Sequence, residues 1–177
     1  MTNYVYVGAS IDGFIAEVDG GIKWLEEIPN PNKSDFGYSE FIKAIDAVVM
    51  GRNTFEKVMT IPGWSYPVPV YVLSTTWKKI PDAYSGHASV IEGTPKEVVD
   101  HLHAHGFKNL YIDGGQTIQR FLKEDLIDEL IITTVPILLG NGIPLFGTVP
   151  NHLHFELVKS EIIESILVKG TYRRVRE

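Results

Sequence analysis

Four short runs rich in Val, Ile and Tyr each stop at small or turn-forming residues, and each is followed by a stretch that reads as helix. The runs are YVYVGAS (Tyr4–Ser10), DAVVMG (Asp46–Gly51), VPVYVLS (Val68–Ser74) and NLYIDGG (Asn109–Gly115). The helical stretches are Tyr38–Ile45, Thr54–Met59, Pro95–His105 and Gln116–Glu124, and Thr94-Pro95 fits an N-cap followed by proline at the first helical position. This alternation leaves few architectures open. It predicts an α/β sheet whose central strands are mostly parallel and flanked by helices. The C-terminal part changes character, because Asp128–Leu138, His154–Ile163 and Glu164–Val175 read as strands with no long helix between them. They predict antiparallel strands added at one edge, with Pro136 at an edge or bulge. No linker divides the chain, so residues 1–177 read as one domain.

The bulk composition narrows the function. Hydrophobic residues make up 44% and charged residues 21%, which is the balance of a globular chain. A net charge of −6 speaks against a broad nucleic-acid or anionic-membrane surface. With no cysteine, a thiol nucleophile, a disulfide framework and a cysteine-ligated metal are excluded. The N-terminus MTNYVYVGAS lacks the pattern of a secretory signal, and no apolar run is long enough to span a bilayer, so a cytoplasmic location is expected.

Chemistry concentrates where strands end. Gly51-Arg52-Asn53-Thr54 joins a strand to a helix with no polar linker. A helix start offers free N–H groups to an anion, and an arginine fork fits phosphate. Gly114-Gly115-Gln116-Thr117 repeats the strand-glycine-helix pattern, and Ser74-Thr75 adds hydroxyls at a third strand end. Three such ends suggest a dinucleotide with several phosphates, although the Gly-x-Gly-x-x-Gly fingerprint is absent. Asp12-Gly13 is a turn or a functional loop. Asp35 is a helix cap or a site carboxylate. His101 and His105 lie one helical turn apart without an evident third ligand, so no metal is expected.

The segments ASIDGFIA (Ala9–Ala16), IKWL (Ile22–Leu25), DAVVMGRNTFE (Asp46–Glu56), YVLSTT (Tyr71–Thr76), YIDGGQTIQRFL (Tyr111–Leu122) and DELIITTVPILLGNGIPLF (Asp128–Phe146) occur in an order that resembles the dihydrofolate-reductase-like superfamily. The resemblance is to the bacterial group related to the reductase domain of the riboflavin-pathway deaminase-reductase. It implies that fold, and NADPH held by Gly51, Arg52, Asn53, Thr54, Ser74, Thr75, Gly114, Gly115, Gln116 and Thr117. Arg52 would lie near the 2′-phosphate, and a cis peptide would join the glycine pair. It further implies hydride transfer to a C=N or C=O bond of a small pterin- or pyrimidine-like substrate. Asp35 would be the preferred proton-side carboxylate, Asp12 the second, and Trp24 would close the substrate side. Dihydrofolate reduction, or NADPH binding without turnover, are the alternatives, and a homodimer is the expected assembly. The chain lacks the Asp-Asp-Pro segment of the riboflavin-pathway enzymes and carries Tyr6 where they have lysine.

Overall fold

The computed structural model describes residues 1–176. Its strands are β1 (Thr2–Ser10), β2 (Phe14–Ala16), β3 (Ala47–Gly51), β4 (Val70–Leu73), β5 (Ala88–Ile91), β6 (Asn109–Asp113), β7 (Glu129–Val135), β8 (Ile143–Pro144), β9 (Phe155–Ile163) and β10 (Leu167–Arg174). The helices are α1 (Lys23–Glu26), α2 (Tyr38–Lys43), α3 (Arg52–Val58), α4 (Pro95–Ala104) and α5 (Gly115–Lys123). Eight strands form one sheet in the order β5-β4-β3-β6-β1-β7-β10-β9, and β2 pairs with β8 beside it. From β5 to β7 every pairing is parallel, whereas β10 runs antiparallel to both β7 and β9.

The hydrophobic pattern explains the layering. Residues Ala47–Met50 of β3 are wholly buried, as a central parallel strand covered on both faces must be. On β1 the side chains alternate. Val5, Val7 and Ala9 face the cluster beneath α4 and α5, while Tyr4 and Tyr6 face the cluster beneath α2 and α3. Ile118, Phe121 and Leu122 give α5 its buried stripe at helical spacing. Each such buried side chain contributes about 1.5–3 kcal/mol. At α4, Thr94 and Glu97 complete a reciprocal capping box, with Thr94 Oγ1 accepting from Glu97 N and Glu97 accepting from Thr94 N.

The departures from expectation are local. Strand β7 stops at Val135, because Pro136 lacks the N–H that a strand between two neighbours must donate. Helix α3 begins at Arg52 rather than Thr54, directly on the end of β3. Strand β5 and the short α1, β2 and β8 are set by tertiary pairing rather than by a periodic pattern. Among the described residues no helix is long and apolar enough to cross a membrane.

Candidate active site

The C-terminal ends of β3, β4 and β6 lie side by side, with Gly51 opposite Leu73 and Met50 opposite Asp113. The predicted strand-end residues therefore meet on one edge of the sheet. A Cβ on Gly51 would stand 2.9 Å from Thr117 Oγ1, so the β3–α3 turn touches the first turn of α5. Arg52 Nη1 donates to Thr76 Oγ1 at 3.1 Å, and Thr76 Oγ1 lies 3.3 Å from Ser74 Oγ. Ser74 is buried and accepts from the N–H of Thr76 and Trp77. Asn53, Thr75 and Gln116 are exposed on the same rim.

Neither α3 nor α5 has a side-chain cap, in contrast to α4. Their N-terminal donors and the Arg52 guanidinium give this edge the chemistry to hold phosphate oxygens. The donor set thus fits the phosphates of a dinucleotide such as NADPH.

The glycine pair has a different reason than the expected one. No cis peptide bond occurs among the described residues, so the pair is joined in trans, which corrects that expectation. Gly114 has φ 88, a left-handed conformation that lets the chain turn from β6 into α5 without a Cβ penalty. Any Cβ there would strike Thr54. A Cβ on Gly115 would lie 2.8 Å from Ile143 Cγ2 and 3.2 Å from both Ile15 Cδ1 and Pro144 O. The missing side chains make room first for the chain's own neighbours, Thr54 of α3 at Gly114 and the β2–β8 pair at Gly115.

The two expected carboxylates are engaged elsewhere. Asp35 is exposed, and its oxygens accept from Gly37 N at 2.9 Å and Ser39 N at 2.8 Å. Hydrogen bonds from Ser39, then from the Gly37 backbone, pull its carboxyl down to about 2. It caps the approach to α2 from the exposed surface, in keeping with the helix-cap alternative. Asp12 is exposed too, and accepts from Ser10 Oγ at 2.5 Å, Leu139 N at 3.1 Å and Gly140 N at 2.7 Å. Those bonds, with Ser10 foremost, lower its carboxyl and latch the loop after β1 to the loop after β7. Trp24 is 4% exposed and packs with Val135 and Leu167, its indole nitrogen buried without a partner. Its ring belongs to a small core beside the sheet.

Asp113 carries no motif of its own in the sequence, standing directly before the Gly114-Gly115 pair. It ends β6 on the same face as Tyr111, beneath α2 and α3. It accepts from Tyr66 Oη at 3.1 Å and from Gly114 N at 2.8 Å. Burial nevertheless pushes its carboxyl upward, and burial first, then the nearby Asp113 charge, raises the Tyr66 and Tyr38 hydroxyls, the latter to about 12. A half-buried acid whose carboxyl is pushed up by burial, one residue before the glycine pair, has the chemistry of a proton donor. The signal available in the sequence was an acidic residue at the C-terminal end of a central strand.

A mostly parallel sheet, extended by an antiparallel C-terminal pair and gathering these groups on one edge, defines a dihydrofolate-reductase-like α/β domain. Comparison with known proteins agrees. The profile of the RibD C-terminal domain matches residues 4–168, and the chain belongs to that family. Bacillus subtilis YwjB is 37% identical over 157 residues, covering 86% of this chain and 87% of YwjB. A crystal structure of a Shewanella sp. PV-4 protein named for riboflavin biosynthesis superposes with a TM-score of 0.96 at 45% identity, over 99% of this chain and 100% of that one. The fold alone is shared with the Thermotoga maritima diaminohydroxyphosphoribosylaminopyrimidine deaminase/5-amino-6-(5-phosphoribosylamino)uracil reductase (TM-score 0.74, 17% identity, 98% of this chain and 56% of that one). It is likewise shared with Enterococcus faecalis dihydrofolate reductase complexed with NADP(H) (0.66, 17%, 99% and 97%).

Proposed function

We propose that this chain is an NADPH-dependent reductase that transfers a hydride to a C=N or C=O bond of a small pterin- or pyrimidine-like molecule. The observation that carries the reading is the convergence of Arg52, Ser74, Thr76 and two uncapped helix starts on one edge of the sheet. Family membership and the NADP(H) held by the Enterococcus faecalis reductase support it. When bound, the cofactor supplies the hydride.

The chain's own residues do the rest. Arg52 holds the 2′-phosphate that separates NADPH from NADH, with Thr76 orienting its guanidinium and Ser74 fixing the Thr76 turn. The starts of α3 and α5 face the remaining phosphates, and Asn53, Thr54, Gln116 and Thr117 line that rim. Asp113 keeps the proton and donates it to the acceptor's heteroatom, in the role first expected of Asp35 or Asp12. Tyr66 donates to Asp113, and Tyr38 and Tyr111 belong to the same aromatic cluster. Homodimerisation belongs to the same reading. Edge strand β9 and its neighbour β10 leave Leu157, Ile162 and Val168 uncovered at 59, 76 and 53%, and sedimentation equilibrium reads the assembly directly.

The deciding experiment is NADPH oxidation against a panel of pterins, pyrimidines and simple imines, run beside NADPH titration. Turnover with any member supports the reductase. Binding with no turnover leaves a cofactor-binding module, and no binding overturns the reading.

A further inference from the structure

Lys169 lies in the interior, and among the described residues no carboxylate oxygen comes within 4.0 Å of its Nζ, although Glu161 stands opposite it on β9. Lys169 stands on β10 opposite Thr133 of β7, which is itself opposite Gly8 of β1. Its side chain reaches the sheet face that carries Tyr6, and the residue is only 8% exposed. Nζ donates to the Phe36 carbonyl and to Tyr6 Oη at 3.4 Å, and it sits 5.5 Å from the Tyr6 ring centroid. The two acidic groups that act on the amine through space each have closer partners. Glu161 pairs with Lys159 at 2.8 Å, and Asp35 accepts from Gly37 and Ser39.

An ammonium has three donors, and here two are used, one of them at a long distance. Lysine is rarely buried without a partner, because removing its charge from water is costly. Burial accordingly lowers its pKa. The surroundings suit a flat ring: Tyr6 stacks on Phe41 with centroids 4.4 Å apart, and Tyr38 meets Tyr6 edge-on at 6.1 Å. The acceptor that Lys169 now uses is itself replaceable. Phe36 and Gly37 both have left-handed backbone, φ 54 and 89, on a segment outside the sheet. A Cβ on Gly37 would lie 2.9 Å from Nζ, so the segment rests against the amine.

We propose that the missing counter-charge comes from the ligand: Lys169 is the specificity-determining residue of the substrate half and takes an anionic or strongly polarised oxygen on the edge of a planar heterocycle. The ligand oxygen fills the third donor or displaces the Phe36 carbonyl. A carboxylate at this place would select an amino edge, whereas an ammonium selects an oxo edge. A phosphate offers the same anionic oxygen, but it calls for several donors, and one buried amine among aromatic rings suits a ring oxygen better. The inference rests on the reductase reading for the ligand's place beside the cofactor, but not for its charge.

Barbiturate and triaminopyrimidine test it, being rings of like size with three oxygens in one and three amino groups in the other. Calorimetric titration of the cofactor-free protein should show barbiturate binding at least tenfold more tightly. Lys169→Met, of similar length and no charge, should weaken barbiturate roughly ten- to a hundredfold while leaving triaminopyrimidine and NADPH unaffected. Preference for the amine, binding of neither ring, or an unchanged barbiturate affinity in the variant would each overturn the assignment. So would inorganic phosphate binding as tightly as barbiturate. The wild-type comparison stands even where the variant folds poorly. Loss of NADPH binding with a retained oxo preference counts against the reductase reading alone.

Discussion

Arg52→Ala tests the proposal that Arg52 distinguishes the two nicotinamide cofactors. The guanidinium donates to Thr76 Oγ1 at 3.1 Å and passes 3.5 Å from Glu56 Oε1, with side-chain exposures of 41% for Arg52 and 47% for Glu56. A charge-assisted hydrogen bond to phosphate contributes about 1.5–3 kcal/mol. Solvent screening and competition from Glu56 move the value to the lower end, about 1.5 kcal/mol or roughly tenfold in affinity. Wild-type protein should therefore bind NADPH about tenfold more tightly than NADH, and Arg52→Ala should make the two equal by weakening NADPH alone. Glu56→Gln removes the competing carboxylate and should tighten NADPH about twofold, the worth of an exposed i,i+4 pair. Nucleotide fluorescence titration at fixed ionic strength measures all of these. Equal affinities in the wild type, or a variant that weakens both cofactors alike, would refute the assignment of the 2′-phosphate to Arg52.

Asp113→Asn should keep NADPH affinity while the hydride-transfer rate falls by roughly 10²–10⁴ in single-turnover absorbance. Because burial raises the Asp113 carboxyl, the wild-type rate should fall as pH rises through that value, and the Asn variant should lose this limb; an unaltered profile would exclude Asp113 as the donor. Gly115→Ala places a methyl 2.8 Å from Ile143 Cγ2 and 3.2 Å from the Pro144 carbonyl, so it should cost about 1–3 kcal/mol in urea unfolding, and an unchanged midpoint would show that the β2–β8 pair yields freely. Asp35 titrates near 2 in the folded state against an ordinary 3.8, so its stabilising contribution is present above about pH 4 and is lost as pH falls towards 2. Asp35→Asn keeps the capping geometry but not the charge, so it should lose that contribution at neutral pH and show a shallower loss of stability in acid; an acid limb as steep as the wild type's would show that the Asp35 charge does not contribute.

The chain order of strands and helices was legible in the sequence because parallel strands and their crossovers leave opposite marks, apolar runs for β3 and β6 and periodic stripes for α4 and α5. The meeting of these strand ends on one edge of the sheet was legible for a related reason. Glycine, arginine and hydroxyl residues sit directly at strand ends, and the parallel sheet aligns those ends by its topology alone. What the tertiary structure decided was which charged side chains are held away from water. Asp35 and Asp12 look in sequence like site acids, yet they lie at the surface, where Asp35 binds the N–H groups of Gly37 and Ser39 beside it and Asp12 binds those of Leu139 and Gly140 across the fold. Asp113 and Lys169 carry no motif, and they come to matter through neighbours distant in the chain: Tyr66 at Asp113, and Tyr6 and Phe36 at Lys169. Burial and long-range contact set the protonation and partnership of a charge, and neither is written in the residues adjacent to it.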